Sequence, residues 1–201
     1  MTVASICVRD EDGAVVPLPV ARWFGAVDAV DRRVLATVDG PVLDVGCGPG
    51  RHVVALSERG VPALGIDITG SALDVARRRG ASVMERSVFD RVPAAGRWTS
   101  VLLLDGNIGI GGEPAALLRR VRELLRSGGT AMVEVEPRWN RAPARLVRFE
   151  LGSVVGPWFR LSYVTVDEIE GLARATGFRC TQRWHDGSRS FAALRREENA
   201  A

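Results

Sequence analysis

Short apolar runs and helix-spaced apolar faces alternate along most of the 201-residue chain. Pro41-Val42-Leu43-Asp44-Val45 reads as a strand running into a glycine cluster. Arg51 to Arg59 then puts Val53, Val54 and Leu56 on one helical face and stops at Gly60, a residue that takes positive φ without strain. Ala63 to Asp67 predicts a second strand ending in an acid, followed by a helix over 71–79 that Gly80 closes. Ser71 and Asp74 have the spacing of a capping box. Ala81 to Met84 predicts a third strand. Ser100 to Asp105 predicts a fourth, continuously apolar as a strand covered on both faces should be. Pro114 opens a helix with Leu117, Val121, Leu124 and Leu125 on one face; Gly128-Gly129 ends it, and Thr130 to Val135 predicts a fifth strand. After Pro137 the rhythm breaks, and residues 138–163 scatter Trp139, Trp158, Phe159 and Tyr163 among Arg, Pro and Gly. A helix over 166–176, with Thr165 and Glu168 as its capping box and Gly177 as its stop, leads to two last strands, Phe178–Trp184 and Arg189–Leu194. His185-Asp186-Gly187 reads as the turn between them.

Strands alternating with connections of helical length predict an α/β fold: a mostly parallel sheet covered on both faces, with an antiparallel C-terminal edge pair. A single domain over 1–201 is expected. It divides into an N-terminal appendage, 1–38, over one rim, a central half, 40–136, and a last segment, 137–201.

Composition narrows the chemistry. Hydrophobic residues make up 46% and charged residues 25%, which excludes a disordered or fibrous chain. All 27 basic residues are Arg, so neither a P-loop lysine nor a lysine Schiff base can operate. The net charge of +3 is spread through the chain, and clusters such as Arg77-Arg78-Arg79 and Arg119-Arg120 read as solvated helix faces. Cys7, Cys47 and Cys180, with only His52 and His185, supply neither a disulfide framework nor zinc spacing, and no metal is expected. Arg9-Asp10-Glu11-Asp12 stands where a signal peptide needs an apolar stretch, and no apolar run approaches the ~20 residues of a membrane span. A cytoplasmic protein that does not engage membranes is the expectation; monomer and homodimer both stay open.

The chemistry concentrates in Asp44-Val45-Gly46-Cys47-Gly48-Pro49-Gly50, between the first parallel strand and its helix. Glycines there let backbone approach a ligand with no Cβ in the way. In a doubly wound sheet the strands' carboxyl ends form the ligand crevice. A dinucleotide fingerprint needs G-x-G-x-x-G, and Arg51 occupies the place of its third glycine.

Val42-Leu43-Asp44-Val45-Gly46-Cys47-Gly48-Pro49-Gly50-Arg51 resembles the first motif of the class I, Rossmann-like S-adenosylmethionine-dependent methyltransferases. The resemblance extends by motif over 40–136 and by element order beyond. It implies a seven-stranded doubly wound sheet, S-adenosylmethionine as cofactor, and a cofactor-binding half at 40–136. Asp44, Gly46, Cys47, Gly48 and Gly50 are then the cofactor loop. Asp67, ending the second strand, is the acid for the ribose hydroxyls, with Ile68 beside it. Ser87, Val88 and Phe89 take the adenine; the family commonly has an acid where Ser87 aligns, a hydroxyl still accepts, and Asp90 is the alternative acid nearby. Asp105, Gly106 and Asn107 lie beside the methionine part and the transferred methyl.

The acceptor is less legible. The Asp/Asn-Pro-Pro-aromatic motif of nucleobase amino methylation does not match Asp105-Gly106-Asn107-Ile108, and no cysteine follows a proline. The preferred partner is therefore a small-molecule methyl acceptor rather than a nucleic acid. Candidate acceptor contacts are Trp23, Asn107, Glu136 and Tyr163, with Phe24, Glu134 and an aromatic cap at 139–163 behind them. Each also reads as packing or surface charge, and His52 as a helix-surface histidine. An RNA methyltransferase, a nicotinamide-dinucleotide oxidoreductase and a non-catalytic cofactor-binding protein remain the alternatives.

Overall fold

Five apolar runs form the parallel strands: β3 (Val42–Val45), β4 (Ala63–Asp67), β5 (Val83–Glu85), β6 (Trp98–Leu103) and β7 (Leu125–Val135). Together with β11 (Phe178–Asp186) and β12 (Arg189–Arg196) they make one seven-stranded sheet of order β11-β12-β7-β6-β3-β4-β5. The computed structural model describes residues 6–18, 20–136, 145–151 and 154–198. Both C-terminal strands run antiparallel to their neighbours: β12 inserts between β7 and β11, so β11 is the edge. The expected mixed α/β sheet is thus the observed one.

The pleat divides the strands between two cores. Leu43, Val45, Val101, Leu103, Ala131, Val133, Ala192 and Leu194 point to one face, against α5 (Pro114–Leu124) and α6 (Ile169–Ala175). Val42, Leu102, Leu104, Met132, Phe191 and Ala193 point to the other, against α2 (Ala29–Leu35) and α3 (Arg51–Glu58). The same parity sends Asp44, Glu134 and Arg189 to the α2/α3 face. Strand order reverses between β3 and β6, and the loops at the carboxyl ends of these two strands face each other across that switch point.

Three local expectations shift. The helix from Pro114 ends at Leu124 and β7 begins at once; Gly128 (φ +65°) is an irregularity inside that strand, where its register with β6 slips between Trp98 and Ser100, and not a helix stop. Helix α4 (Gly70–Arg78) has Thr69 at its N-cap, and the Ser71/Asp74 box does not form. Asp67 Oδ1 already accepts the Thr69 N–H (2.8 Å), while Asp74 pairs with Arg77. Ahead of α6, the Glu168 carboxylate accepts from the Thr165 N–H and hydroxyl, and Gly177 (φ +79°) stops the helix as expected.

The N-terminal segment and the segment after β7 pair with each other. Strands β1 (Ile6–Asp10) and β2 (Val15–Pro17) join β8 (Arg145–Leu151), β9 (Val154–Val155) and β10 (Phe159–Leu161) in a small antiparallel sheet, ordered β10-β8-β1-β2 with β9 on β8. The part of 139–163 within the described residues is therefore largely strand, with Phe149 and Phe159 rings 5.0 Å apart and the Arg148 guanidinium over Trp158. Trp139 lies outside the described residues. Strand β10 runs into Ser162, whose N–H donates to the Gly109 carbonyl and whose hydroxyl donates to that of Gly112. A Cβ at Gly109 would fall on the Ser162 carbonyl oxygen, so only glycine permits the small sheet to seat against the loop after β6. Among the described residues, no helix is long and apolar enough to cross a membrane.

Candidate functional site

The loop from Gly46 to Gly50 turns through three positive-φ glycines, at +71°, +50° and +78°. Two of them are packed. A Cβ at Gly46 would meet the Asn107 amide, and one at Gly50 would meet Ala76 and Ala81. Gly48 has open space where its side chain would be, and its N–H donates to Asp67 Oδ2 (2.8 Å). The loop therefore presents backbone to the crevice at Gly48 and is braced elsewhere.

Asp67 ends β4 half-buried. One carboxylate oxygen accepts from Gly48 N–H and the other from Thr69 N–H, so lone pairs remain on both for a diol. Beside it Ile68 is 73% exposed, and Phe89, beyond the end of β5, is 47% exposed against Gly111. These are large apolar side chains left in solvent at the mouth of the site. Ser87 accepts the Phe89 N–H and begins the turn, while Val88 is buried with its carbonyl held by Arg120 Nε (2.9 Å). Arg120 also bonds the Asp90 carbonyl, so it is more than a solvated face.

At the end of β6, Asp105 adopts φ +57°, a conformation uncommon for a non-glycine residue, followed by Gly106 at +82°. Asn107 donates through Nδ2 to the carbonyls of Val45 (2.8 Å) and Gly46 (3.0 Å), joining this loop to the glycine loop. The Asp105 carboxylate takes Arg51 Nη1 (2.7 Å) and Arg22 Nη2. That anchors helix α1 (Val20–Phe24) at the rim of the crevice. Arg79 adds a second tie from below, bonding the Phe24 carbonyl and reaching the Pro49 carbonyl at 3.5 Å. Phe24 itself is exposed and Trp23 half-buried.

Behind these loops lies a buried ionic cluster. Arg51 and His52 are the first two residues of α3, where positive charge opposes the helix dipole. Asp31 of α2, fully buried, answers with Oδ1 on Arg189 Nη1 (2.6 Å) and Oδ2 on Arg51 Nε (3.2 Å). Asp31 also completes the capping box of α2 with Asp28. Arg189 lays the rest of its fork on Glu134, Nε to Oε1 (2.8 Å) and Nη2 to Oε2 (2.7 Å). His52 is buried, not on the surface as the sequence suggests. It stands between Asp44 (3.4 Å) and Asp31 (3.7 Å), at ion-pair rather than hydrogen-bond distance.

Burial works against charge on Asp31, Arg51, His52, Asp105 and Arg189, and their partners outweigh it. Asp31 is held well below the usual carboxylate range by His52, Arg189 and Arg51, and Asp105 is lowered mainly by Arg51. For His52, burial and Arg51 favour the neutral ring, but Asp44 and Asp31 raise the pKa to about 9. A raised folded pKa means that stability is fully present below the unfolded value of ~6.5 and is lost as pH rises through about 9. Unfolding in urea at pH 6.5 and at 9.5 is expected to show a loss on the order of 3 kcal/mol across that window. His52→Gln should flatten the alkaline limb; a variant with an unchanged slope would assign the loss to another group.

The other sequence candidates fall in two places. Cys47 is buried beside Gly65, and burial followed by the charges of Asp44 and Asp67 pushes its thiol far above the thiolate range, so it fills space in the loop. Glu136 and Tyr163 come together across β7 and the segment after β10: the Glu136 N–H donates to the Val164 carbonyl, and burial, then Glu136 and Asp10, raise the Tyr163 hydroxyl pKa. Asp31, Arg189 and Arg51's role as a buried link were missed. The signals that could have found them were the Asp28/Asp31 capping spacing and the shared parity of Asp44, Glu134 and Arg189. Among the described residues no group of three or more His, Cys, Asp or Glu is placed to hold a metal.

Residues 42–129 match the family model described as a methyltransferase domain. An uncharacterized protein of Mycobacterium tuberculosis is 33% identical over 170 residues, 82% of this chain and 56% of that protein. The chain thus spans just over half the length of the curated relatives it matches. Among solved structures, an S-adenosylmethionine-dependent methyltransferase from Bacteroides fragilis, in complex with S-adenosyl-L-homocysteine, superposes with a TM-score of 0.84 at 24% identity, covering 98% of this chain and 90% of that one. The 1,6-didemethyltoxoflavin-N1-methyltransferase of Burkholderia thailandensis, with bound 1,6-didemethyltoxoflavin and S-adenosylhomocysteine, gives 0.60 at 20% identity over 85% and 79% of the two chains.

Proposed function

We propose that the chain is a class I S-adenosylmethionine-dependent methyltransferase that transfers a methyl group from S-adenosylmethionine to a small-molecule acceptor, a reading supported by the match of residues 42–129 to a methyltransferase domain. The observation that carries the reading is the open face of Gly48 beside a carboxylate with free lone pairs, flanked by two solvent-exposed apolar side chains. Those features fit an adenosine. Asp67 would accept the ribose hydroxyls, and Ile68 and Phe89 would wall the adenine, with Ser87 and Val88 lining its edge. Asp44, Gly46, Cys47, Gly48 and Gly50 would shape the loop against the cofactor, and Asp105, Gly106 and Asn107 would border its methionine end.

When bound, the cofactor supplies a sulfonium methyl already activated for in-line displacement by an acceptor lone pair, with the C–S electron pair returning to sulfur. The protein's share is alignment and exclusion of water. Asp105 acts here through its backbone and its ion pairs, because its carboxylate is taken by Arg51 and Arg22. Asn107 acts by bracing the glycine loop, since its amide nitrogen is spent on two carbonyls. Trp23 on α1, Glu136 and Tyr163 are the side chains assigned to the acceptor. A small acceptor is favoured over RNA because three arginines at the crevice, Arg22, Arg51 and Arg189, are each matched by carboxylates and so are not free for a phosphate backbone. The Burkholderia structure holds a small molecule in addition to its adenosyl ligand.

Thermal unfolding with saturating S-adenosylmethionine, S-adenosylhomocysteine, NAD or NADP tests the reading. A ligand at ~100 times its dissociation constant adds about 2.7 kcal/mol, or roughly 5–11 °C for a chain of this length. Shifts confined to the two adenosyl ligands are expected. A shift confined to the dinucleotides overturns the assignment.

A further inference from the structure

The left-handed Asp105 sits where the loop after β6 meets the glycine loop, and it is held from three directions. Its carboxylate is fixed by Arg51 and Arg22. Its N–H donates to Glu134 Oε2 (2.8 Å), the same oxygen that accepts from Arg189 Nη2 (2.7 Å). Arg189 is the first residue of β12, far from the crevice loops in sequence, and its guanidinium is almost wholly buried. The remaining Nη1 binds Asp31 of α2 (2.6 Å). Its plane also lies over Phe191, with Cζ 5.0 Å from the ring centroid. One side chain therefore spans three elements: the C-terminal hairpin, the end of β7 and the N-terminal helices.

We propose that Arg189 is a positioning residue that fixes the orientation of Glu134, and so the conformation of the 105–107 loop, while docking α2 beside it. A rigid fork on two carboxylates suits this task, because each bond constrains the orientation of the others. Without it Glu134 keeps, as its cationic partner among the described residues, the longer approach of Arg22 (3.8 Å), and loses the constraint that aims Oε2 at the Asp105 N–H. Asn107, two residues on, then no longer braces the Val45 and Gly46 carbonyls in a fixed place. The effect reaches the cofactor loop through backbone, with no contact between Arg189 and ligand required.

The consequence for ligand affinity rests on the adenosyl-binding reading; the consequence for the loop does not. The test uses the wild type, Arg189→Met, Arg189→Lys, Glu134→Gln and the double variant Arg189→Met/Glu134→Gln, with Arg77→Met as a control at an exposed pair. Circular dichroism selects a temperature at which each is folded. Hydrogen exchange is read at the Asp105 amide, and S-adenosylhomocysteine affinity by calorimetry. Arg189→Met and Glu134→Gln should each speed exchange about tenfold and weaken binding about tenfold. The double variant should be no worse than the poorer single one, the signature of one shared pathway. Arg189→Lys should fall between, since an ammonium restores charge but not the fork. Unchanged exchange and affinity in folded Arg189→Met, even with a lower melting temperature, would reduce Arg189 to a structural residue; multiplicative effects would break the link to Glu134. If Arg189→Met does not fold, the same readings on the lysine and Glu134→Gln variants decide. A wild type that fails to bind S-adenosylhomocysteine removes the cofactor reading, and the exchange arm still judges the positioning role.

Discussion

Asp67→Ala is expected to weaken S-adenosylhomocysteine binding on the order of 100-fold while leaving the fold intact. The carboxylate can offer one free lone pair on each oxygen to a ribose diol, because Gly48 and Thr69 N–H groups take only one each. Hydrogen bonds to a charged group contribute about 1.5–3 kcal/mol apiece, and about 2.7 kcal/mol corresponds to the expected factor. The alanine variant should also melt slightly lower, since two backbone donors lose their acceptor, but both lie where water replaces it. Asp67→Asn separates charge from shape and should lose less. Calorimetric titration of the three proteins checks this, and an affinity that does not move would place the ribose elsewhere and withdraw the site assignment built around β4.

Asp31→Ala carries the largest expected loss of stability. Its carboxylate is buried between Arg189 and Arg51, and removing it leaves two guanidinium groups in the interior without their shared counter-charge. Breaking a buried pair from one side costs about 3–5 kcal/mol, which for a chain of this size lowers the melting temperature by roughly 6–20 °C. The sign with pH is also fixed. Asp31 is ionised more readily in the folded protein than in the unfolded chain, so its stabilisation is present above the ordinary carboxylate range and is lost as pH falls through the lower folded value. The gap between wild type and Asp31→Asn should therefore be widest near neutrality and close in strong acid. A gap independent of pH would mean that shape, and not charge, is what Asp31 contributes.

The His52 dependence runs in the opposite direction, toward loss at alkaline pH, and both follow from one arrangement. The cluster balances Asp31, Asp44, Asp105 and Glu134 against Arg22, Arg51, Arg189 and a protonated His52. Removing a proton from His52 or adding one to Asp31 unbalances a group that has little access to water. Such a network contributes less to net stability than its bonds suggest, because desolvation opposes it. Its clearer effect here is geometric: it holds the N-terminal helices, the glycine-loop helix, the end of β7 and the C-terminal hairpin at fixed relative positions.

The sequence by itself determined the alternating elements, the sheet that they build and the end of that sheet where the candidate crevice lies. These rest on signals that a short window contains. Continuous apolar runs such as Val101-Leu102-Leu103-Leu104 specify buried strands, Gly60, Gly80 and Gly177 stop helices, and three glycines after Asp44 fix a turn that no other residue enters without strain. The candidate adenosine contacts were legible for the same reason, since each lies just past the end of a recognisable strand. Tertiary structure alone decided the rest. Strands β1 and β2 look appended and β8 to β10 irregular in isolation because the pairing that joins the two halves of the small sheet, β1 on β8, is between residues far apart in the chain. Asp31 and Arg189 are 158 positions apart, Glu134 and Arg189 are 55, and Arg51 looks like an ordinary helix-surface arginine until Asp31 and Asp105 close on it. A charge in a sequence window carries no mark of being buried; whether it becomes a solvated surface group or a pin between elements depends on which opposite charge folding brings against it.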